Sequence, residues 1–251
     1  MTELAHLTWP ELAAAVASGA TTLILPLGAT EQHGPHLPLA TDTLRAEELA
    51  RRLARLVPGS LVAPTLPFGC SDEHAGFAGL LGLEAATLAA LICELAQRAV
   101  AWGIQRLVVL SAHGGNGTAL GLAATRLRHV LPDLSFWYTG MLPAGPGGPL
   151  AVAAAAGISG PVFGLHAGEG ETSELLWLRP DLVRQDQLME GLLAETHHLM
   201  PTLIAQGLRP VTANGVLGDP TAATPARGAA YLQAAAEQVA ALLNQEARNM
   251  H

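Results

Sequence analysis

A three-layer α/β fold, with a mostly parallel central sheet and helices on both faces, follows from three features of this 251-residue chain. Short apolar runs alternate with longer stretches of helical spacing, the crossovers that parallel strands require. The runs are apolar throughout, as strands covered on both faces are. Polar, His-rich segments follow the runs, where an open parallel sheet places its ligand crevice.

The elements follow in order. Pro10 opens a helix to about Ser18, stopped by Gly19. Thr21–Leu27 is a buried strand, and the His-rich segment Gly28–Asp42 leads into a helix over Thr43–Leu56. Leu61–Leu66 is a second strand, followed by a long loop over Gly69–Gly82. Helical spacing runs from Glu84 to Trp102 with Gly103 at its end, and Arg106–Ser111 (RLVVLS) is the clearest strand. A helix to about Val130 and a strand over Leu134–Tyr138 come next. Leu142–Pro161 is an Ala/Gly/Pro linker with a short helix at Ala151–Ala156. Helices over Thr172–Leu178, ended by Pro180, then Gln187–Leu199 and Ala226–Arg248 complete the chain. No repeat or domain boundary interrupts the pattern, so residues 1–251 read as one domain.

Composition excludes several classes. Half the residues are apolar, which excludes disorder of the chain as a whole. With 21 acidic and 13 basic residues, a net charge of -8 and no Lys/Arg block, nucleic acid is not a partner. The longest charge-free stretch is broken by Gly and Pro, so no membrane span is expected. The N-terminus lacks a basic segment followed by an apolar run, and the two cysteines set no disulfide framework. These features fit a soluble, cytoplasmic protein. Charged residues are 14%, against about 25% in an average domain, which points to surface hidden in a homo-oligomer.

No Gly-rich nucleotide fingerprint is present, and the glycines of HGGNG (113–117) read as a tight turn. Four polar clusters instead fall in loops after strands: Glu31/His33/His36 with Asp42, Asp72/Glu73/His74, His113, and His166/Glu169/Glu171. Converging His and carboxylate side chains form the ligand chemistry of zinc, manganese or iron. Asn116 either orients a substrate or braces its turn. Trp137, Tyr138 and Trp177 read as core residues rather than substrate platforms.

The motifs sharpen this picture. GATEQHGPHLPLATD (28–42), CSDEHAGFAG (70–79), SAHGGN (111–116), LHAGEGETS (165–173) and NGVLGDPTAATPARG (214–228) occur in order. This series resembles the signatures of the creatininase family of metal-dependent amidohydrolases. The resemblance implies a creatininase-like fold and two divalent ions, zinc first, with manganese or iron as alternatives. Glu31 and His113 would hold one ion and His33 the other, with Asp42 bridging them. Creatininase itself takes a further Glu ligand at the position of Gly115, so another acid must serve here; Glu171 is the first choice and Glu169 the second. Glu31, Asp42 and Glu171 with one hydroxide would neutralise two divalent ions. His166 would donate a proton to the leaving amine, and Glu171 shares the catalytic assignment. His36, His74, Asn116 and Glu169 would brace ligands or orient substrate. The implied reaction is hydrolysis of a non-protein amide, cyclic amide or formamide, by metal-activated water. The alternatives are a mycofactocin-type maturation peptidase acting on a short modified peptide, or a non-catalytic metal-binding protein. The resemblance also implies a homo-oligomer, a hexamer before a dimer.

Overall fold

The computed structural model describes residues 2–139 and 145–249. Five strands, all parallel, form one sheet: β1 (Thr2–Glu3), β2 (Thr22–Leu27), β3 (Ser60–Val62), β4 (Arg106–Ser111) and β5 (Ser135–Thr139), in the order β1-β3-β2-β4-β5. Connections from β2 run outward to β3, whereas the chain from β3 crosses over to β4. The order therefore reverses between β2 and β4, and a crevice opens at their carboxyl ends. Thr22 to Leu27 pair in register with Arg106 to Ser111, so the two following loops leave the sheet level with each other.

The period-two alternation of side chains divides the core in two. Leu23, Leu25, Leu27, Leu107 and Val109 face α3 (Ala85–Ala101) and α4 (Gly117–Val130), where Leu88, Ile92 and Leu120 pack on them. Ile24, Val108 and Leu110 face the opposite layer, formed by α2 (Thr41–Leu56) and α9 (Pro225–Asn249) through Leu49, Leu53, Val239 and Leu243. The remaining helices are α1 (Trp9–Ala17), α5 (Pro149–Ala155), α6 (Gly160–Phe163), α7 (Glu169–Leu178) and α8 (Thr196–Gln206). The expected three-layer architecture is present. Among the described residues no helix is long and apolar enough to cross a membrane.

Several boundaries differ from the sequence expectation. β3 ends at Val62 because the next bond of the ladder would need an N–H on Pro26 of β2, which has none; Leu66 rejoins the sheet as a single bridge to Leu27. α2 begins at Thr41, which puts Asp42 in its first turn. α7 begins at Glu169 rather than Thr172, so that Thr172 and Ser173 lie within it: His36 Nε2 lies 2.9 Å from Thr172 Oγ1, and Ser173 Oγ donates to Glu169. The helix expected over Gln187–Leu199 is extended through residue 195, since Gly191 N and Leu192 N donate to Gly218 O and Val216 O; α8 follows at Thr196. Trp177 is partly exposed, with the Arg52 guanidinium stacked 4.5 Å from its ring. The expected linker starts at Leu142, outside the described residues, and its later part carries α5 and α6.

α7 and α9 approach through Gly228, whose missing side chain makes room for the Ser173 carbonyl. Gly228→Ala improves helix propensity by about 1 kcal/mol, but the clash with fixed backbone costs about 3 kcal/mol. We expect a net drop of several degrees in Tm; a rise in thermal unfolding temperature would contradict this packing account.

Candidate metal centre

The loop after β2 supplies Glu31 and His33, the first turn of α2 supplies Asp42, the residue two beyond β4 is His113, and the first turn of α7 supplies Glu171. Glu31, His33 and Asp42 are almost wholly buried. Two groups with the geometry to hold a cation form among them: Glu31, Asp42 and His113, and His33, Asp42 and Glu171. Asp42 belongs to both, its Oδ2 3.4 Å from His113 Nδ1 and its Oδ1 3.3 Å from His33 Nε2. Glu31 Oε1 is 3.2 Å from His113 Nδ1, and Glu171 Oε2 is 3.7 Å from His33 Nε2. A third group joins Glu31 and His33 to His166.

The atoms that face this centre lack hydrogen-bond partners: both oxygens of Glu31, His33 Nε2 and Asp42 Oδ2. Such orphaned buried atoms are costly unless something else meets them. They are hard oxygen and imidazole donors, and they fit a divalent ion. The electrostatics agree. Burial opposes charge on His33, but Asp42 and then Glu171 outweigh it and raise the imidazole to about 9. Burial likewise opposes charge on His113, and Glu31 chiefly overrides it. Burial alone would raise Asp42, yet His33, His113 and Arg45 hold it well below the usual carboxylate range. Burial dominates at Glu31 and pushes it up. The pocket therefore draws positive charge into itself, as protons when nothing else supplies it.

The ring nitrogens facing away from the centre fix which nitrogen faces it. His113 Nε2 lies 2.9 Å from the Cys70 carbonyl and 3.2 Å from Glu73 Oε1, and His33 Nδ1 lies 3.3 Å from the Glu31 carbonyl. His166 Nε2 donates to the Gln32 carbonyl at 2.8 Å, which leaves Nδ1 toward Glu31. Burial and the neighbouring His33 charge push His166 well down, so its free nitrogen is unprotonated. His74 is lowered by burial and then by His166; its Nε2 is 3.0 Å from Glu31 Oε1. The Gln32 amide lies 3.1 Å from His74 Nδ1 and 3.0 Å from His166 Nε2.

Position 115 is closed to any side chain in this backbone. A Cβ there would run into the Cys70 carbonyl, His113 Nε2 and Glu73 Oε1. Glu171 is aimed instead: its Oε2 accepts from the Ala167 amide at 2.7 Å, and Ala167 takes a left-handed φ of 52°, a strained conformation that turns its N–H onto the carboxylate.

The other expected residues divide. Glu169 is turned away from the centre: its oxygens accept from Ser173 Oγ and Arg227 Nε, both at 2.7 Å, and from Tyr231 OH at 2.9 Å, tying α7 to α9. Asn116 is a brace: its Oδ1 accepts from Cys70 N, and its Nδ2 donates to Gly28 O and Ser111 Oγ. His36 belongs to none of the cation groups; its Nε2 lies 2.9 Å from Thr172 Oγ1 of α7. Gln32, Glu73, Arg45 and Glu174 also touch the site residues; of these only Glu73 was among the polar clusters of the sequence. Arg45 is three residues from Asp42 and Glu174 three from Glu171, so helical spacing alone placed each beside a candidate.

A cavity of about 640 Å³ opens over His74, His113 and His166. The turn at Gly114–Gly117 and Glu73 form one wall, and Met200, Leu203 and Ile204 of α8 form an apolar one. A parallel α/β sheet with buried carboxylate-and-imidazole groups at its switch point, reaching a cleft through His113 and His166, defines a metal-dependent hydrolase. Residues 5–243 match the family described as "Creatininase: Creatinine amidohydrolase". The chain belongs to the creatininase family. It is 38% identical over 229 residues to the mycofactocin precursor peptide peptidase of Mycobacterium ulcerans, covering 88% of this chain and 79% of that one. It is 33% identical over 200 residues to the creatinine amidohydrolase of Pseudomonas putida, covering 74% and 75%. Among solved structures, a manganese creatininase superposes with a TM-score of 0.78 at 26% identity, covering 98% of both chains. A zinc–zinc mutant creatininase gives 0.76 at 26%, covering 97% of both.

Cation binding must displace the protons that the acids hold on His33 and His113. Because the His33 proton is held up to about 9, apparent zinc affinity should fall as pH drops from 8.5 to 6.5, with protons released on binding. Zinc competition titrations in buffers of different ionisation enthalpy check this, and an affinity independent of pH would refute it.

Proposed function

We propose that this protein is a metal-dependent peptidase that cleaves a short modified peptide, with Glu31, Asp42 and His113 holding one divalent ion and His33, Asp42 and Glu171 the other. The observation that carries the peptide reading is the cavity: at about 640 Å³, lined by Met200, Leu203 and Ile204 as well as by the histidines, it has room for more than a single small ring. The likeness to mycofactocin precursor peptide peptidases favours the same substrate class over the small cyclic amides first expected from the motifs. Zinc and manganese both suit the donor set.

Two bound divalent ions would lower the pKa of water held between them and polarise an amide carbonyl. The protein's own residues do the rest. Asp42 keeps the two groups at a fixed separation. His166, held neutral with Nε2 on the Gln32 carbonyl, presents Nδ1 to take a proton from the attacking water and return it to the departing amine. His74 sits against Glu31 and His166 and forms part of the cavity wall, where it limits access of bulk water. The apolar face of α8 accepts a side chain of the peptide while Gly114 and Gly115 let its backbone approach the histidines.

Short peptides with apolar residues beside the scissile bond, assayed against creatinine, cyclic amides and formamides with zinc or manganese supplied, test the assignment. Peptide cleavage abolished by chelation is expected; faster turnover of creatinine than of every peptide would overturn it. Asp42→Ala should lose activity on the order of a thousand-fold, together with more than one of two bound ions. Glu171→Gln should lose one ion and most turnover, whereas Glu169→Gln should keep both ions and show only a lower Tm. Metal analysis of the three variants decides these outcomes.

A further inference from the structure

Arg45 is buried at the edge of the centre, and its guanidinium reaches four acceptors. Nε donates to Glu174 Oε2 at 2.5 Å, and Nη1 donates to Glu171 Oε1 at 2.5 Å, Ala112 O at 3.3 Å and Asp42 Oδ1 at 3.4 Å. Glu174 is itself 1% exposed and makes no contact with the histidines of either group; its Oε1 has no hydrogen-bond partner. The cluster is built from two helices packed together, Asp42 and Arg45 one turn apart on α2, and Glu171 and Glu174 one turn apart on α7.

We propose that Arg45 and Glu174 are a positioning pair for the acids of the His33 group. This rests on the assignment of His33, Asp42 and Glu171 to one ion. Glu174 pins the guanidinium from the far side. The guanidinium then occupies Glu171 Oε1, so Glu171 can offer the centre only Oε2, the oxygen also fixed by the Ala167 amide. It approaches Asp42 through Oδ1 and leaves Oδ2 toward His113. A planar fork can serve Glu174 and Glu171 from two different nitrogens at once, which a single ammonium cannot. The pair is neutral as a unit, so it orients ligands without changing the charge available to balance two divalent ions.

The test is titration of the chelator-stripped full-length protein with zinc alone, with a competing chromophoric chelator to resolve both sites. In Glu174→Gln and Arg45→Lys, one ion should bind with parental affinity and the other about 10- to 100-fold more weakly. The double variant Arg45→Met with Glu174→Met should show the same loss at one site, since neither member of the pair is then left as a lone buried charge. Parental affinity at both sites in Glu174→Gln and Arg45→Lys would overturn the proposal. Equal weakening of both ions in step with a fall in Tm would also overturn it, since the pair would then serve only to hold the fold. His33→Ala in the same titration separates the two levels of argument. If His33→Ala retains both ions, the ligand assignment fails and this proposal falls with it. If it loses one ion while Glu174→Gln loses none, the positioning proposal alone is wrong.

Discussion

Asp42 is the carboxylate on which the site depends. It sits in the first turn of α2, shielded from solvent, with one oxygen turned to His33 and the other to His113. A helix N-terminus favours negative charge there, but a buried carboxylate still needs a nearby cation. Two imidazoles and one guanidinium surround it, and two further acids, Glu31 and Glu171, demand more positive charge than Arg45 alone supplies. The unpartnered oxygens of Glu31 and Asp42 and the unpartnered nitrogen of His33 mark where that charge must enter. A divalent cation in each of the two groups would meet these atoms.

The scaffold meets the demand by placing rigid elements around the crevice. β2 and β4 are paired over six residues, and their inner and outer faces are buried in separate cores. Their carboxyl ends are therefore among the least deformable points of the chain, and Glu31, His33 and His113 follow within a few residues. Asn116 ties the Gly28, Cys70 and Ser111 segments together by three hydrogen bonds. α7 is fixed from the other side by Glu169, which joins Arg227 and Tyr231 of α9. The acid that seemed a spare ligand thus secures the helix that aims the real candidate.

Neutral and charged histidines are sorted by what lies behind them. At His33 and His113 the surrounding carboxylates outweigh burial and raise the imidazoles, whereas burial and the neighbouring histidines lower His74 and His166, although His74 also lies against Glu31. Four imidazoles within one cluster are thereby pushed in two opposite directions. This division arises from the environment of each ring and not from residue type.

Much of this was legible in the chain itself. Apolar runs and helical spacing located β2, β4, α3, α4 and α9, because strongly periodic burial leaves a direct mark on sequence. The motif residues Glu31, His33, Asp42, His113, His166 and Glu171 could be named before any coordinates, and the fold does bring them together. Other features depended on contacts between segments far apart in sequence. The choice between Glu171 and Glu169 turned on Ala167, Arg227 and Tyr231. The closure of position 115 turned on Cys70 and Glu73, and the roles of Gln32, Arg45 and Glu174 on partners as much as 183 residues away. The extended path of residues 188–195 was set by hydrogen bonds to the 216–218 segment, which outweighed local helical propensity. Sequence determined which groups the protein has and which strands carry them; tertiary structure decided which oxygen faces which nitrogen, because burial and pairing act on atoms in space, not on their order along the chain.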